Sequence, residues 1–493
     1  MYRNVLTLFI AIVAIVAVAG AAMAQELNWW SVIYTDSSTE GGSSGSALLN
    51  GDGQITGQLT GGNASCDVPL NDPNYYDLYG QFGKSWNLGL SDYLGSGKAA
   101  GDHEVDAAIM PDALAQPNEA VTSPGLTMQL PAQPGHTVVL TDDAVDAAQR
   151  KFAEMSRANI KRQMTGVHVA VPTFEPDLWE HLDNGQGLTS WRIALRAPQA
   201  KTLRLHFTRF NINPADAVIV YGDPTAAFGK TVEPSRTATT VDFWGPITAG
   251  DLVFLEVVTA SKTPPDVTVD KISYGLRQFS LTPQSTKEGD CYLDPNCFVN
   301  EMIGLDQLMN GVGQMMFEVA DGQAVCTGTM ILDEAQTFTP YFYTANHCFQ
   351  DAAVADSLIT SFFWYTDQCN GTVQPWDQVT TYTEGSDILV QSSETDVLLL
   401  QLDQFPPQGA AYFGWTTADQ QISDPIFVLH HPAGTFMRIS FGYINGVNDA
   451  DDVNLDDDDD TDNVDDDTTT DDDDDDNGGD DDDDDDDDSC CGC

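Results

Sequence analysis

The sequence predicts an all-β protein, and three observations carry that expectation. Residues 135–286 hold strand-like runs, alternating apolar and polar in Trp191 to Arg196 and Thr202 to Phe207 and almost wholly apolar in Ala217 to Tyr221 and Leu252 to Val258, parted by Gly, Pro and Asp. Alternation with period two is the pattern of a half-buried strand, and many short strands with turn signals point to a β-sandwich. Residues 287–448 are again strand-rich and hold five of six scattered cysteines. Residues 25–100, rich in Gly, Ser, Trp and Tyr, carry further short β-type runs such as Ile55 to Leu59.

In chain order, residues 1–24 read as a secretory signal: Arg3, an apolar run from Leu6 to Val18, then Ala22-Met23-Ala24 as a cleavage site. Residues 25–100 form the first folded stretch. Residues 101–134, with Pro, Ala and acidic residues but no periodicity, read as a linker. A helix is expected from Asp142 to Met164, followed by the strands of the sandwich. Residues 287–448 form the last folded stretch. Residues 449–493 are an Asp-rich tail ending in Cys490, Cys491 and Cys493. Such a tail buries too little apolar surface to offset the entropy of ordering and is expected to be disordered.

The net charge is −56, of which residues 449–488 supply 27 Asp and no Lys or Arg. The remainder is still acidic, which argues against nucleic acid as a partner. The Asp run offers weak Ca²⁺ association at most, because dedicated sites need spaced ligands and a fixed turn. Ser489-Cys490-Cys491-Gly492-Cys493 is similar to the start of a C-terminal surface-sorting signal, which would imply cell-surface attachment. Export also decides how Cys66, Cys291, Cys297, Cys326, Cys348 and Cys369 are read: in an oxidising compartment they are disulfide candidates rather than metal ligands. No residue cluster implies a metal or an organic cofactor.

Three local patterns carry chemistry. Thr344-Ala345-Asn346-His347-Cys348, with Cys326-Thr327-Gly328-Thr329 upstream, suits a histidine held at a strand end by a small disulfide loop, as a general base requires. Thr395-Asp396-Val397-Leu398-Leu399 sends a carboxylate into an apolar strand, where an imidazole is a natural partner. Gly41-Gly42-Ser43-Ser44-Gly45-Ser46 is a turn able to present a hydroxyl and backbone N–H groups together. Taken singly, each has a plainer meaning: a structural His-Cys pair, a strand cap and a flexible linker.

Together these pieces resemble bacterial lysyl endopeptidases of the trypsin-like class. Residues 287–448 are similar to the N-terminal two-thirds of that family through Cys291…Cys297, the two cysteine motifs, Thr395 to Leu399 and Leu429-His430-His431-Pro432. Residues 26–95 are similar to the C-terminal third through Thr39 to Ser46, Gly57-Gln58-Leu59-Thr60-Gly61-Gly62, Ser65-Cys66, Asp77-Leu78-Tyr79-Gly80 and Trp86. Residues around 190–280 resemble the family's propeptide. The order departs from the family, because the serine motif precedes the histidine and aspartate motifs; the chain reads as circularly permuted or rearranged.

The resemblance implies a double β-barrel assembled from two sequence-distant halves, with a propeptide-like sandwich between them. It implies the disulfides Cys66–Cys291, Cys297–Cys369 and Cys326–Cys348. It further implies His347 as general base, Asp396 as its orienting carboxylate, Ser44 as nucleophile, and the N–H groups of Gly42 and Ser44 as an oxyanion hole. Ser43 stands where many trypsin-like zymogens carry an Asp, and Ser38 where many carry the pocket-floor Asp. Asp77 matches the family's pocket carboxylate, with Thr60 and Gly61 beside the substrate; Thr60 replaces a His of lysine-selective members. The expected function is a secreted serine endopeptidase acting on protein or peptide substrates after Lys, or Arg. The rival expectation is an inactive permuted homologue serving as a binding module, in which Ser44 and His347 would lie far apart.

Overall fold

A computed structural model describes residues 28–97, 103–114, 136–156, 162–222 apart from 184, 186 and 214, 230–231, 242–277, 291–376, 379 and 382–448. The signal region, most of the expected linker and the Asp-rich tail with its three cysteines lie outside the described residues. All of these residues fall in one compact unit, Met1–Leu455.

The chain is all-β, as the alternations predict. One barrel is a closed ring of six strands, in the order Ala47–Leu49, Pro425–His430, Arg438–Asn448, Trp29–Asp36, Asp77–Gln81 and Ile55–Gly62, the last pairing back onto the first. Strands from both ends of the folded chain therefore share one ring, the two C-terminal strands side by side between Ala47–Leu49 and Trp29–Asp36. Trp29–Asp36 lies between Arg438–Asn448 and Asp77–Gln81, antiparallel to each. Alternate residues point inward and fill the barrel: Trp30, Val32 and Tyr34 meet Leu48, Leu59, Tyr79, Ile426, Val428 and Ile444.

The second barrel is built from Val312–Val319, Gly322–Met330, Tyr341–Ala345, Ile359–Phe362, Tyr382–Glu384, Ser386–Ser392 and Val397–Leu402. Only Gly385, with φ +79°, separates Tyr382–Glu384 from Ser386–Ser392. The chain itself thus links the two ends of that sheet. Met315, Phe317, Ala324, Phe342, Leu398 and Leu400 belong to its core.

Between the halves in sequence comes the sandwich. One sheet runs Phe243–Ala249, Thr202–Asn211, Asp266–Gly275, Gln163–Ala170; the other is centred on Ala217–Tyr221, Leu252–Thr259 and Thr189–Arg196. Leu203, Leu205 and Phe207 of one sheet share a core with Ile193, Leu195, Val253, Leu255 and Val257 of the other. Gln163–Ala170 also pairs antiparallel with Gly322–Met330, from Gly322 opposite Val167 to Val325 opposite Gln163. Sandwich and second barrel therefore share one eleven-stranded sheet.

Two local expectations are corrected. The helix covers Asp142–Met155, capped by Thr141 Oγ1 accepting from Ala144 N–H, and does not reach Met164. Met164 instead belongs to the strand Gln163–Ala170, which is held by partner strands on both sides. Within the expected linker, Glu104–Val105 pairs with Trp415–Thr416 and Ala108–Ile109 with Ala411–Tyr412. Two-residue strands carry no readable periodicity, so only their partners reveal them.

Candidate active site

The serine turn leaves the first barrel after Trp29–Asp36 and is folded by two successive turns, Ser43 N–H to Glu40 O at 2.9 Å and Ser46 N–H to Ser43 O at 3.0 Å. Gly42 (φ +92°) and Gly45 (φ +83°) supply its left-handed positions. Neither tolerates a side chain: a Cβ at 42 would sit 2.8 Å from Gly434 N, and one at 45 would sit 2.5 Å from Thr327 O.

The second barrel holds this turn through Thr327. Its N–H donates to Ser44 O at 2.8 Å and its hydroxyl to Gly42 O at 2.9 Å. The same hydroxyl accepts from His431 N–H at 3.0 Å, while Thr344 donates to Thr327 O at 2.8 Å. Cys348 Sγ lies 3.9 Å from Ser44 O, so the serine turn abuts the disulfide next to His347.

His347 sits in a short turn, Asn346–Cys348, at the end of Tyr341–Ala345. Asp396 receives it twice: Oδ1 accepts from His347 N–H at 2.7 Å, and Oδ2 lies 2.6 Å from Nδ1. A carboxylate at Nδ1 keeps the ring proton there and leaves the Nε2 lone pair available. Both side chains are buried, and among the described residues Nε2 meets no hydrogen-bond partner. Asp396 has φ +56°, a strained conformation for a non-glycine residue, and its carbonyl accepts from Asn346 N–H at 2.8 Å.

The strained loop is clamped from the other half of the chain. Gln58 donates to Thr395 O and accepts from Tyr343 OH, Ser85 and Thr395 hydroxyls meet at 2.8 Å, and Asn28 donates to Glu394 O at 3.3 Å. Gln58 stands within a family motif, yet sequence reasoning assigns it no role. A glutamine fully buried on a barrel strand is the signal that it must have partners. Arg162 is likewise silent in the sequence; its guanidinium reaches His347 O and Cys348 O, each at 3.4 Å.

Asp77 is buried at the start of the strand Asp77–Gln81. It accepts from Thr39 Oγ1 and, at 3.1 Å, from Tyr34 OH, which also meets Tyr79 OH at 2.5 Å. Burial pushes its carboxyl up to about 6, against the opposing pull of the Thr39 and Tyr34 hydrogen bonds. Thr39 belongs to the serine loop, so the carboxylate is fastened to the segment bearing Ser44. Thr60 is fully buried, its hydroxyl without a partner among the described residues, and Gly61 beside it has φ +143°.

Three disulfides join Cys66 to Cys291, Cys297 to Cys369 and Cys326 to Cys348, the pairs implied by the resemblance. Ligand atoms of Cys326, His347 and Cys348 lie within 4.8 Å of one another, but both sulfurs are committed to the disulfide and offer no thiolate.

Two β-barrels, with a His–Asp pair on one and a glycine-flanked serine turn from the other meeting at their junction, define a protein of the trypsin-like fold class. The chain belongs to the lysyl endopeptidase family: the family model for the lysyl endopeptidase C-terminal domain matches residues 12–80 and 285–472. A lysyl endopeptidase of Pseudomonas aeruginosa is 27% identical over 374 residues, covering 69% of this chain and 80% of the relative. This places the chain among peptidases, with proteins or peptides as substrates. Among the described residues no helix is long and apolar enough to cross a membrane.

Proposed function

We propose that the protein is a secreted serine endopeptidase that cleaves after Lys, or Arg, through an acyl-enzyme. The observation that carries this is the buried His347–Asp396 pair at 2.6 Å, its Nε2 unpartnered among the described residues, beside a serine turn fastened by Thr327. His347 Nε2 takes the Ser44 hydroxyl proton as Oγ bonds to the scissile carbonyl carbon. The Gly42 and Ser44 N–H groups hold the resulting oxyanion. His347 then passes the proton to the leaving amine as the C–N bond breaks, and water, deprotonated by the same imidazole, releases the acyl group. Asp396 keeps the proton of the ring on Nδ1 and stabilises the imidazolium without being protonated itself.

Asp77 forms the floor of the pocket, where its charge pairs with a cationic side chain, and Thr60 and Gly61 line the approach. Three disulfides fit an oxidising compartment, in line with a signal over residues 1–24. The order of the motifs is read as a circular permutation, tolerated because strands from both ends of the folded chain pair side by side.

A fluorophosphonate probe applied to the folded protein should label Ser44, with Ser44→Ala abolishing both labelling and hydrolysis of lysyl substrates at unchanged thermal stability. Full hydrolysis by Ser44→Ala would overturn the assignment.

A further inference from the structure

Behind the serine turn lies a hydrogen-bonded chain that the proposed reaction does not use. His430, fully buried at the end of Pro425–His430, places Nδ1 2.7 Å from Ser43 Oγ and Nε2 2.9 Å from Ser440 Oγ. Ser43 Oγ also accepts from Glu40 N–H at 3.2 Å. Ser440 Oγ lies 3.1 Å from Ser37 Oγ and 3.2 Å from Ser38 O.

One proton arrangement satisfies both ring nitrogens. Ser43 O–H donates to Nδ1, Nε2–H donates to Ser440 Oγ, and Ser440 O–H donates toward Ser38 O and Ser37 Oγ. That imidazole is neutral. Burial, followed by the nearby His431 and Arg438, pushes His430 down to about 3, so the ring stays neutral across the ordinary pH range.

Both ends of the chain return to the same loop. One end grips Ser43, between the two residues whose N–H groups face the oxyanion; the other grips Ser37 and Ser38, next to Thr39, which holds Asp77. The loop is pinned a second time close by, where Ala433 N–H donates to Gly41 O at 2.6 Å.

We propose that His430 is a positioning residue, a neutral internal brace that holds the nucleophile turn and the pocket side of the loop in working register without an activating ion pair. This rests on the reading of Ser44 as nucleophile. It explains how Ser43 can stand where a zymogen-type Asp would need a new N-terminus. The loop is preformed because its support comes from strands already in the barrel, not from a chain end released by cleavage.

The brace has two arms that substitution can separate. Asn at 430 reaches the Nδ1 position and keeps the Ser43 arm; Gln reaches the Nε2 position and keeps the Ser440 arm. In the full chain, His430→Gln and Ser43→Ala should each lower kcat by about tenfold or more with KM changed little, since misplaced oxyanion donors act on the transition state. His430→Asn should rescue most of kcat and raise KM. The double variant Ser43→Ala/His430→Gln should be no slower than the worse single variant, because both break one link.

Unchanged kcat in His430→Gln, or losses that multiply in the double variant, would overturn the brace. Failure of the parent protein to accept the fluorophosphonate would instead sink the peptidase reading. The brace would then be judged by amide hydrogen exchange. His430→Gln should speed exchange across residues 38–46 and leave 189–196 unchanged, and equal protection in parent and variant would refute it.

Discussion

Asp77, proposed as the pocket floor, sets one buried carboxylate's stability against its use in recognition. Its folded-state pKa of about 6 lies above the ordinary value of 3.8, so the folded protein binds that proton more tightly than the unfolded chain. Stability therefore declines as pH rises from about 4 to about 6 and is level on either side of that window, as far as this group is concerned. At roughly 1.4 kcal/mol per unit, the charged form costs on the order of 2–3 kcal/mol at neutral pH. Asp77→Asn should raise the neutral-pH unfolding free energy by an amount of that order and flatten its dependence between about pH 4 and 6. The same variant should lose cleavage after Lys, and in the parent KM for cationic substrates should climb below about pH 6. Chemical denaturation across pH, run beside substrate kinetics, checks both. Asp77 is legible as a site only through its place in a family motif. Gln58 and His430 stand in family motifs without legible roles, because their partners, Thr395 and Ser43, lie 337 and 387 residues away in sequence.

At the scale of elements, alternation exposes the strands but not their partners. Thr189–Arg196 and Leu252–Thr259 stand where their strand-like runs put them, and both faces are buried: Ile193, Leu195, Val253, Leu255 and Val257 enter the sandwich core, while Ala194 and Phe254 pack on the opposite side. The helix that ends at Met155 and the strand that starts at Gln163 merge in the sequence reading, because nothing local announces that Gln163–Ala170 will pair with Gly322–Met330. That junction rests on a buried ionic group. Glu318 of the barrel lies 3.1 Å from His168 Nε2 and 3.6 Å from Arg204 Nη1, both of the sandwich. Burial raises the Glu318 pKa, but the His168 hydrogen bond and the Arg204 and His168 charges outweigh it and hold the group below the ordinary carboxylate range. Its contribution is thus present above the ordinary value of 4.5 and fades as pH falls through the lower folded-state value. Arg204→Met strands the carboxylate without its full complement and should cost about 3–5 kcal/mol, while adding Glu318→Gln should recover much of that loss. Urea unfolding of the two variants measures the coupling; equal destabilisation in the single and double variants would show that Arg204 acts through its packing and its hydrogen bonds to the Gly245 and Ser357 carbonyls rather than through Glu318.

For the molecule as a whole, the motifs and the cysteines are legible directly, while the arrangement that unites them is legible only through the family resemblance, because local patterns carry no information on which strands share a barrel. The disulfides give that arrangement a measurable consequence. Cys66–Cys291 spans 225 residues and ties the serine-bearing stretch to the start of the stretch that bears His347 and Asp396; Cys326–Cys348 spans 22 and fixes the histidine turn beside Ser44. Closing a long loop removes more unfolded-state entropy than closing a short one, about 5 kcal/mol against about 3 kcal/mol in the chain-entropy account. The longer bridge, however, bonds to none of the groups that position His347 among the described residues. Replacing both cysteines of Cys66–Cys291 with Ser should therefore lower the denaturation midpoint more, yet leave kcat within about twofold. The same exchange at Cys326–Cys348 should cost less stability and far more activity, since Cys348 follows His347 and packs on the Ser44 carbonyl. Parallel denaturation and turnover measurements separate the two. A loss of kcat from the Cys66/Cys291 exchange as deep as that from Cys326/Cys348 would mean that the barrels need the covalent tie to meet at all, and that strand pairing between the two ends of the chain is too weak to assemble the site unaided.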